Sequence, residues 1–240
     1  MFKQQLLILS ILLATAFTHV FAQEDKQGFK GESELGNTVT TGNTSTNSLA
    51  AKTQNKYRLG ADLWSFDGRY LRNTDNSIET ALLWEAGLRY DRIINENLSA
   101  FLGYKAEADP YAGYVQRDSV DLGAKYYFMK SDNLYWLGEA GYRYSKTHVL
   151  AGDTYESFLR LYTEAQRTFD KTSYGKLWIE YLPNLTNSDA YLVNAEASVS
   201  AVLSELLSLK VSYLAKYQNE PRPGFERTDT VFLTTLVAKY

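Results

Sequence analysis

Long runs of strict alternation constrain this chain more than any other feature. Leu207, Leu209, Val211, Tyr213, Ala215 and Tyr217 alternate with Ser208, Lys210, Ser212, Leu214, Lys216 and Gln218. The same two-residue beat runs through 191–202 and 98–108. Successive side chains of an extended strand point to opposite faces, so each run folds as a strand with one apolar and one polar face. Such runs are about twice the usual 5 or 6 residues of a soluble strand and match the roughly 9–11 residues of a tilted bilayer crossing. No helical period competes, and beyond residue 22 no apolar run approaches the roughly 18 residues a crossing helix needs.

By this beat the sequence divides into twelve candidate strands, near 28–37, 47–59, 61–71, 77–93, 98–108, 117–129, 134–148, 154–169, 174–183, 190–203, 207–217 and 228–240. Tight links at 60, 95–97, 130–133, 170–173 and 204–206 are expected to alternate with mostly longer ones at 38–46, 72–76, 109–116, 149–153, 184–189 and 218–227. All four prolines lie in or beside the longer set, where no ladder N–H is lost. Strand content far exceeds the roughly 20–25% of globular proteins, and closure into a barrel is what leaves no unpaired edge in lipid. The expected fold is therefore all-β: a transmembrane antiparallel up-and-down β-barrel of about twelve strands over 23–240, with both termini in the periplasm.

Residues 1–22 stand apart as an expected signal peptide. Lys3 opens them, an apolar stretch over 6–17 is broken only by Ser10 and Thr15, and Ala22 follows Val20 and Phe21 at the cleavage point. No Cys stands there, which removes a lipoprotein anchor, and export leads to the outer membrane.

Composition then excludes several chemistries. The chain has no Cys, and beyond the leader its one histidine is His148. Thiol catalysis, disulfides and Cys-ligated zinc are excluded, and His148 is the one candidate imidazole base, near Ser145 and Asp153 at a strand end. A rim histidine is ordinarily a solvated loop residue, so the expectation is no catalysis. There is no phosphate loop or metal-ligand spacing, and no cofactor is expected. With 25 basic against 28 acidic residues and no basic run, nucleic acid is not an expected partner either.

The 19 tyrosines fit a membrane. Tyr57, Trp84, Tyr104, Tyr126, Phe128, Tyr142, Tyr144 and Tyr213 fall near strand ends on the apolar face, as interfacial girdles do. The last strand carries Phe232, Thr234, Leu236, Ala238 and Tyr240 on one face. This stripe resembles the C-terminal assembly signal of outer-membrane proteins. The expected partners are outer-membrane lipid, lipopolysaccharide and, during insertion, the barrel-assembly machinery. The opening Gly28-Phe29-Lys30-Gly31-Glu32-Ser33-Glu34-Leu35-Gly36-Asn37, with Thr40-Thr41-Gly42-Asn43-Thr44, Ser48-Leu49, Gly103-Tyr104, Asp109-Pro110 and the late Pro221, Gly224 and Asp229, resembles the YdiY-like, salt-stress-induced outer-membrane protein family. Phe29 stands where family members often have Trp. The resemblance implies a small outer-membrane barrel and a link to osmotic stress, with no established molecular activity.

With apolar faces toward lipid, the opposite faces line a lumen. They carry thirteen cations and thirteen anions, including Lys30, Glu32, Glu34, Asp67, Glu79, Asp91, Glu156, Lys176 and Lys216. The expected lumen charge network is Lys52, Lys56, Arg58, Arg69, Glu85, Arg89, Lys105, Glu107, Asp121, Lys125, Glu139, Arg143, Arg160, Glu164, Glu180, Glu196 and Lys210. Charges in a low-dielectric wall must be paired or wet, so this balanced set implies either a salt-bridge network or a water-filled pore, and no strong ion selectivity. Inward Phe101, Tyr127, Tyr135, Tyr162 and Trp178 oppose inward Gly87, Gly103, Gly123 and Gly141, as a partial plug. The expected function is a passive small-solute pore or an envelope-integrity barrel. The alternatives are a soluble periplasmic β-barrel or sandwich that binds a ligand and, weakest, an outer-membrane hydrolase.

Overall fold

The computed structural model describes residues 27–40 and 46–240, so the leader at 1–22 and the Gly42-Asn43 turn lie outside the described residues. Twelve strands follow in order: β1 (Gly28–Thr40), β2 (Thr46–Leu59), β3 (Asp62–Asp75), β4 (Ile78–Ile93), β5 (Leu98–Asp109), β6 (Tyr114–Lys130), β7 (Leu134–Val149), β8 (Gly152–Thr168), β9 (Ser173–Pro183), β10 (Tyr191–Val202), β11 (Leu207–Gln218) and β12 (Thr228–Lys239). Each pairs antiparallel with its sequence neighbours, and β1 closes on β12, giving a closed barrel. Among the described residues no helix is long and apolar enough to cross a membrane.

The closing seam pairs Glu32 with Lys239 and Leu35 with Leu236. Gly31 N–H donates to Tyr240 O at 2.8 Å and Tyr240 N–H returns to Gly31 O at 2.9 Å. Because the strand number is even, Gly28 and Tyr240 share one end of the barrel, here the near end; the opposite mouth is the far end.

Strands outrun the alternation at the far end. β3 continues to Asp75, so the 72–76 link shrinks to a turn at Asn76 and Ser77, both with positive φ (48° and 67°). β6 starts at Tyr114 and β8 at Gly152, which leaves a short 3₁₀ turn over Pro110–Ala112 and a two-residue turn at 150–151. The expected alternation of short and longer links therefore fails at two far-end turns. The cause is physical: beyond the hydrocarbon both strand faces meet water, so pairing goes on where hydropathy no longer marks it. Three register shifts, at Asn73/Thr74, Glu107/Asp109 and Tyr127/Met129, also break the beat. The last places Tyr126, Phe128 and Met129 all on the exposed side.

Candidate functional site

The lumen face is built from register. Lys52 on β2 lies opposite Glu34 on β1 and opposite Arg69 on β3, and Arg69 lies opposite Glu85 on β4, which faces Glu107 on β5. Ladder pairing alone thus sets two cations side by side and two carboxylates side by side, and the relief comes from elsewhere on the wall. Lys105 Nζ bridges Glu85 at 3.0 Å and Glu107 at 2.7 Å. Arg69 Nη2 donates to Glu196 of β10 at 3.1 Å, and Lys210 Nζ of β11 binds Glu196 at 3.1 Å and Glu34 at 3.0 Å.

A second group fills the middle of the other half. Arg89 grips Glu139 with two bonds of 2.9 and 2.7 Å and Asp91 with two of 2.8 Å. Lys125 approaches Asp91 at 3.2 Å. Arg160 links Glu139 at 2.6 Å to Glu180 at 2.7 Å, and Arg143 links Asp121 at 2.6 Å to Glu180 at 3.1 Å. Phe101, only 2% exposed, lies beneath the Arg89 guanidinium, 3.9 Å from its ring centroid. Its ring occupies the space above Gly123, where an added Cβ would sit 2.7 Å from the ring and 2.7 Å from Gly141 Cα.

Of the other expected residues, Glu164 forms a separate group with Lys176 at 2.9 Å, Tyr162 and Tyr135. Lys56 and Arg58 stand toward the near mouth, where Arg58 Nε donates to Gly60 O at 3.1 Å. Arg117 was missed in the sequence; it pairs with Glu107 at 3.3 Å and stacks on Tyr114. Arg117 opens the expected strand at 117–129, and its parity with Asp121 already places it on the inward face. The rule that apolar faces point to lipid also fails locally. Ala50, Leu71 and Leu83 point inward near the far end and pack with Val231 and Leu233.

Some pairs reach across the bore. Arg69 and Glu196 are five strands apart around the ring, and Lys216 Nζ meets Asp109 Oδ2 at 3.9 Å although β11 and β5 are six strands apart, on opposite sides. Twelve strands spaced ~4.8 Å and tilted ~40° would close a round ring about 24 Å across. Extended Lys and Asp side chains with that 3.9 Å gap span only about 14 Å between Cα atoms. The far half of the barrel is therefore flattened.

His148 is exposed on the outer face and its Nδ1 lies 2.7 Å from Asp153 Oδ1. Ser145 points the other way, 1% exposed and hydrogen-bonded to Ser119 at 2.8 Å, so the Ser145 and His148 side chains lie on opposite sides of the wall. Among the described residues no group of three His, Cys, Asp or Glu is placed to hold a metal. Phe232, Leu236 and Tyr240 are all exposed on the outer face, with Ala238 half-buried in the same row.

A closed twelve-stranded antiparallel barrel with apolar residues outside and ion pairs inside is the fold of outer-membrane porins. The chain belongs to the family described as "Protein of unknown function, DUF481", which it matches over residues 33–240. Among solved structures, the NanC porin is similar over 89% of this chain and 100% of its own, at 7% identity and a TM-score of 0.53. The COG4313 outer membrane channel from Pseudomonas putida F1 is similar over 94% of this chain and 100% of its own, at 10% identity and a TM-score of 0.56. At these identities the likeness is one of fold. No curated protein matches the sequence.

Proposed function

We propose that this chain is a non-catalytic outer-membrane barrel, a passive pore for small polar solutes narrowed by its own ion pairs. The observation that carries the reading is the bridged but wet lumen. Arg69–Glu196 and Lys216–Asp109 span the bore, yet the side chains of Lys105 and Arg89 keep 31% and 23% of their surface accessible. Mixed charge favours weak selectivity. The outward aromatics support girdles at the two membrane interfaces, with the near end periplasmic, residues 1–22 a removed leader, and contact with lipid and lipopolysaccharide outside. The Phe232, Leu236, Ala238 and Tyr240 row fits recognition by the barrel-assembly machinery. The similar structures, a porin and an outer membrane channel, support a pore; the resemblance to the salt-stress-induced family supports a role under osmotic load.

A second reading, a sealed envelope-integrity barrel, is favoured by the same cross-bore pairs. Planar-bilayer recordings separate the two. The pore reading expects small discrete steps from the folded protein and larger ones from Arg69→Ser/Glu196→Ser. Silence from both would leave the sealed barrel.

A further inference from the structure

The flattened far half encloses a cavity of about 320 Å³ inside the lumen, within the size range of small-ligand sites. Its walls are the inward apolar residues Leu71, Leu83, Leu214 and Leu233, and its floor is the charged group of Lys52, Arg69, Lys210, Glu34 and Glu196. Hydrogen bonding on that floor is unevenly shared. Glu34 accepts twice from Lys210, at 3.0 and 3.2 Å, and once from Thr235 at 3.2 Å. Glu196 accepts from Lys210 and from Arg69, each at 3.1 Å. Both carboxylates thus already accept from other donors. Lys52 Nζ approaches them only at 3.7 and 3.9 Å, beyond hydrogen-bond distance, and forms no hydrogen bond among the described residues. An ammonium has three N–H donors, and leaving them unfilled in a low-dielectric wall is costly.

A second unfilled group lies along the same wall. Asn73 Oδ1 is buried without a partner and lines the cavity. Lys52 pairs with Arg69 in the ladder, so Asn73 sits four residues farther along β3, about 13 Å toward the far mouth. Beside it the rim carries Asp109 and Asp229 around the single cation Lys216, a net negative set that disfavours an anion there and leaves room for a neutral donor.

We propose that this cavity binds an amphipathic monocarboxylate. Its carboxylate takes the N–H groups of Lys52, its apolar body lies against Leu71, Leu83 and Leu233, and a distal hydroxyl donates to Asn73 Oδ1. The inference does not depend on whether the bore conducts, because Lys52, Leu71, Leu83 and Asn73 line the cavity in either case.

The test uses the full-length barrel in lipid nanodiscs, with 6-hydroxyhexanoate as probe and empty nanodiscs as the baseline for partitioning into lipid. Saturable calorimetric binding above the baseline is expected. It should weaken by about tenfold or more in Lys52→Met, the scale of a lost charge-assisted hydrogen bond. Leu71→Trp, which fills the cavity and leaves every charge in place, should abolish it. Asn73→Leu should make 6-hydroxyhexanoate and hexanoate bind alike. Heat-shifted gel mobility of each variant establishes that it is folded. Absence of binding above empty discs overturns the proposal. So does equal binding by a folded Lys52→Met or Leu71→Trp, or binding of 6-aminohexanol as tight as that of the carboxylate.

Discussion

Phe101 shows how single residues hold this lumen together. Its ring needs the bare backbone of Gly123 beneath it and carries the Arg89 guanidinium above it. Gly123→Val would drive a side chain into the ring and into Gly141 Cα at once. We expect that variant to lose heat-shifted mobility at a lower temperature than the parent, while Gly60→Ala, where an added Cβ meets nothing within 4 Å and the strain comes only from a φ of 62°, shifts it far less. Arg69→Ala leaves Glu196 and Glu85 without one of their cations; breaking such a buried pair typically costs about 3–5 kcal/mol, which denaturant unfolding in detergent would register. Restoring neutrality with Arg69→Ala/Glu196→Gln should recover part of the loss. The inward placement of these residues was legible, because parity alone puts Lys52, Arg69 and Glu196 on the polar face. Their partnership was not. Arg69 and Glu196 are 127 positions apart in sequence, and only the closed ring and its flattening bring them to 3.1 Å.

At the scale of elements, the seam between β1 and β12 is where the barrel becomes closed, and Tyr240 secures it. Its hydroxyl lies 3.0 Å from Ser33 Oγ and 3.1 Å from Asn55 Oδ1, its ring stacks on Phe29, and it fills the space over Gly31. Tyr240→Ala should therefore cost about 1–2 kcal/mol of folded stability. Removing Tyr240 outright also deletes its two backbone bonds to Gly31 and should slow folding into vesicles, measured by the rate at which the heat-shifted band appears. Gly31→Val, which would meet the Tyr240 ring at 2.3 Å, should reproduce much of the alanine effect with the last residue intact. Strand existence was readable because nearly every crossing has an apolar side and a polar or charged side; β12 departs from this, with Val231, Leu233 and Val237 on its inner face. Strand ends were not, because the polar extension of β3 through Asn73, Thr74 and Asp75 pairs without any apolar face to mark it. The bulge at Tyr127/Met129 was equally silent, since a run of aromatics looks alike on either face.

For the whole molecule the deciding geometry is the contact between β5 and β11, which a round section would hold far apart. The absence of cysteine makes a direct check simple. Asp109→Cys/Lys216→Cys should be bridged within one chain by a bismaleimide shorter than the round diameter, and the bridged barrel should conduct no better than the parent. Failure to cross-link in the folded protein would show that the section is round. The flattening has a mechanical consequence. Twelve continuous ladders make the girth of the tube nearly inextensible, but a fixed girth encloses its largest area only as a circle. Rounding the far half would therefore enlarge both the bore and the footprint in the bilayer while breaking no ladder hydrogen bond. Among the described residues, side-chain contacts across the bore oppose that change, Lys216–Asp109 and Arg69–Glu196 together with Leu71 and Leu83 packed near Val231 and Leu233, so lateral tension in the surrounding membrane acts directly against them.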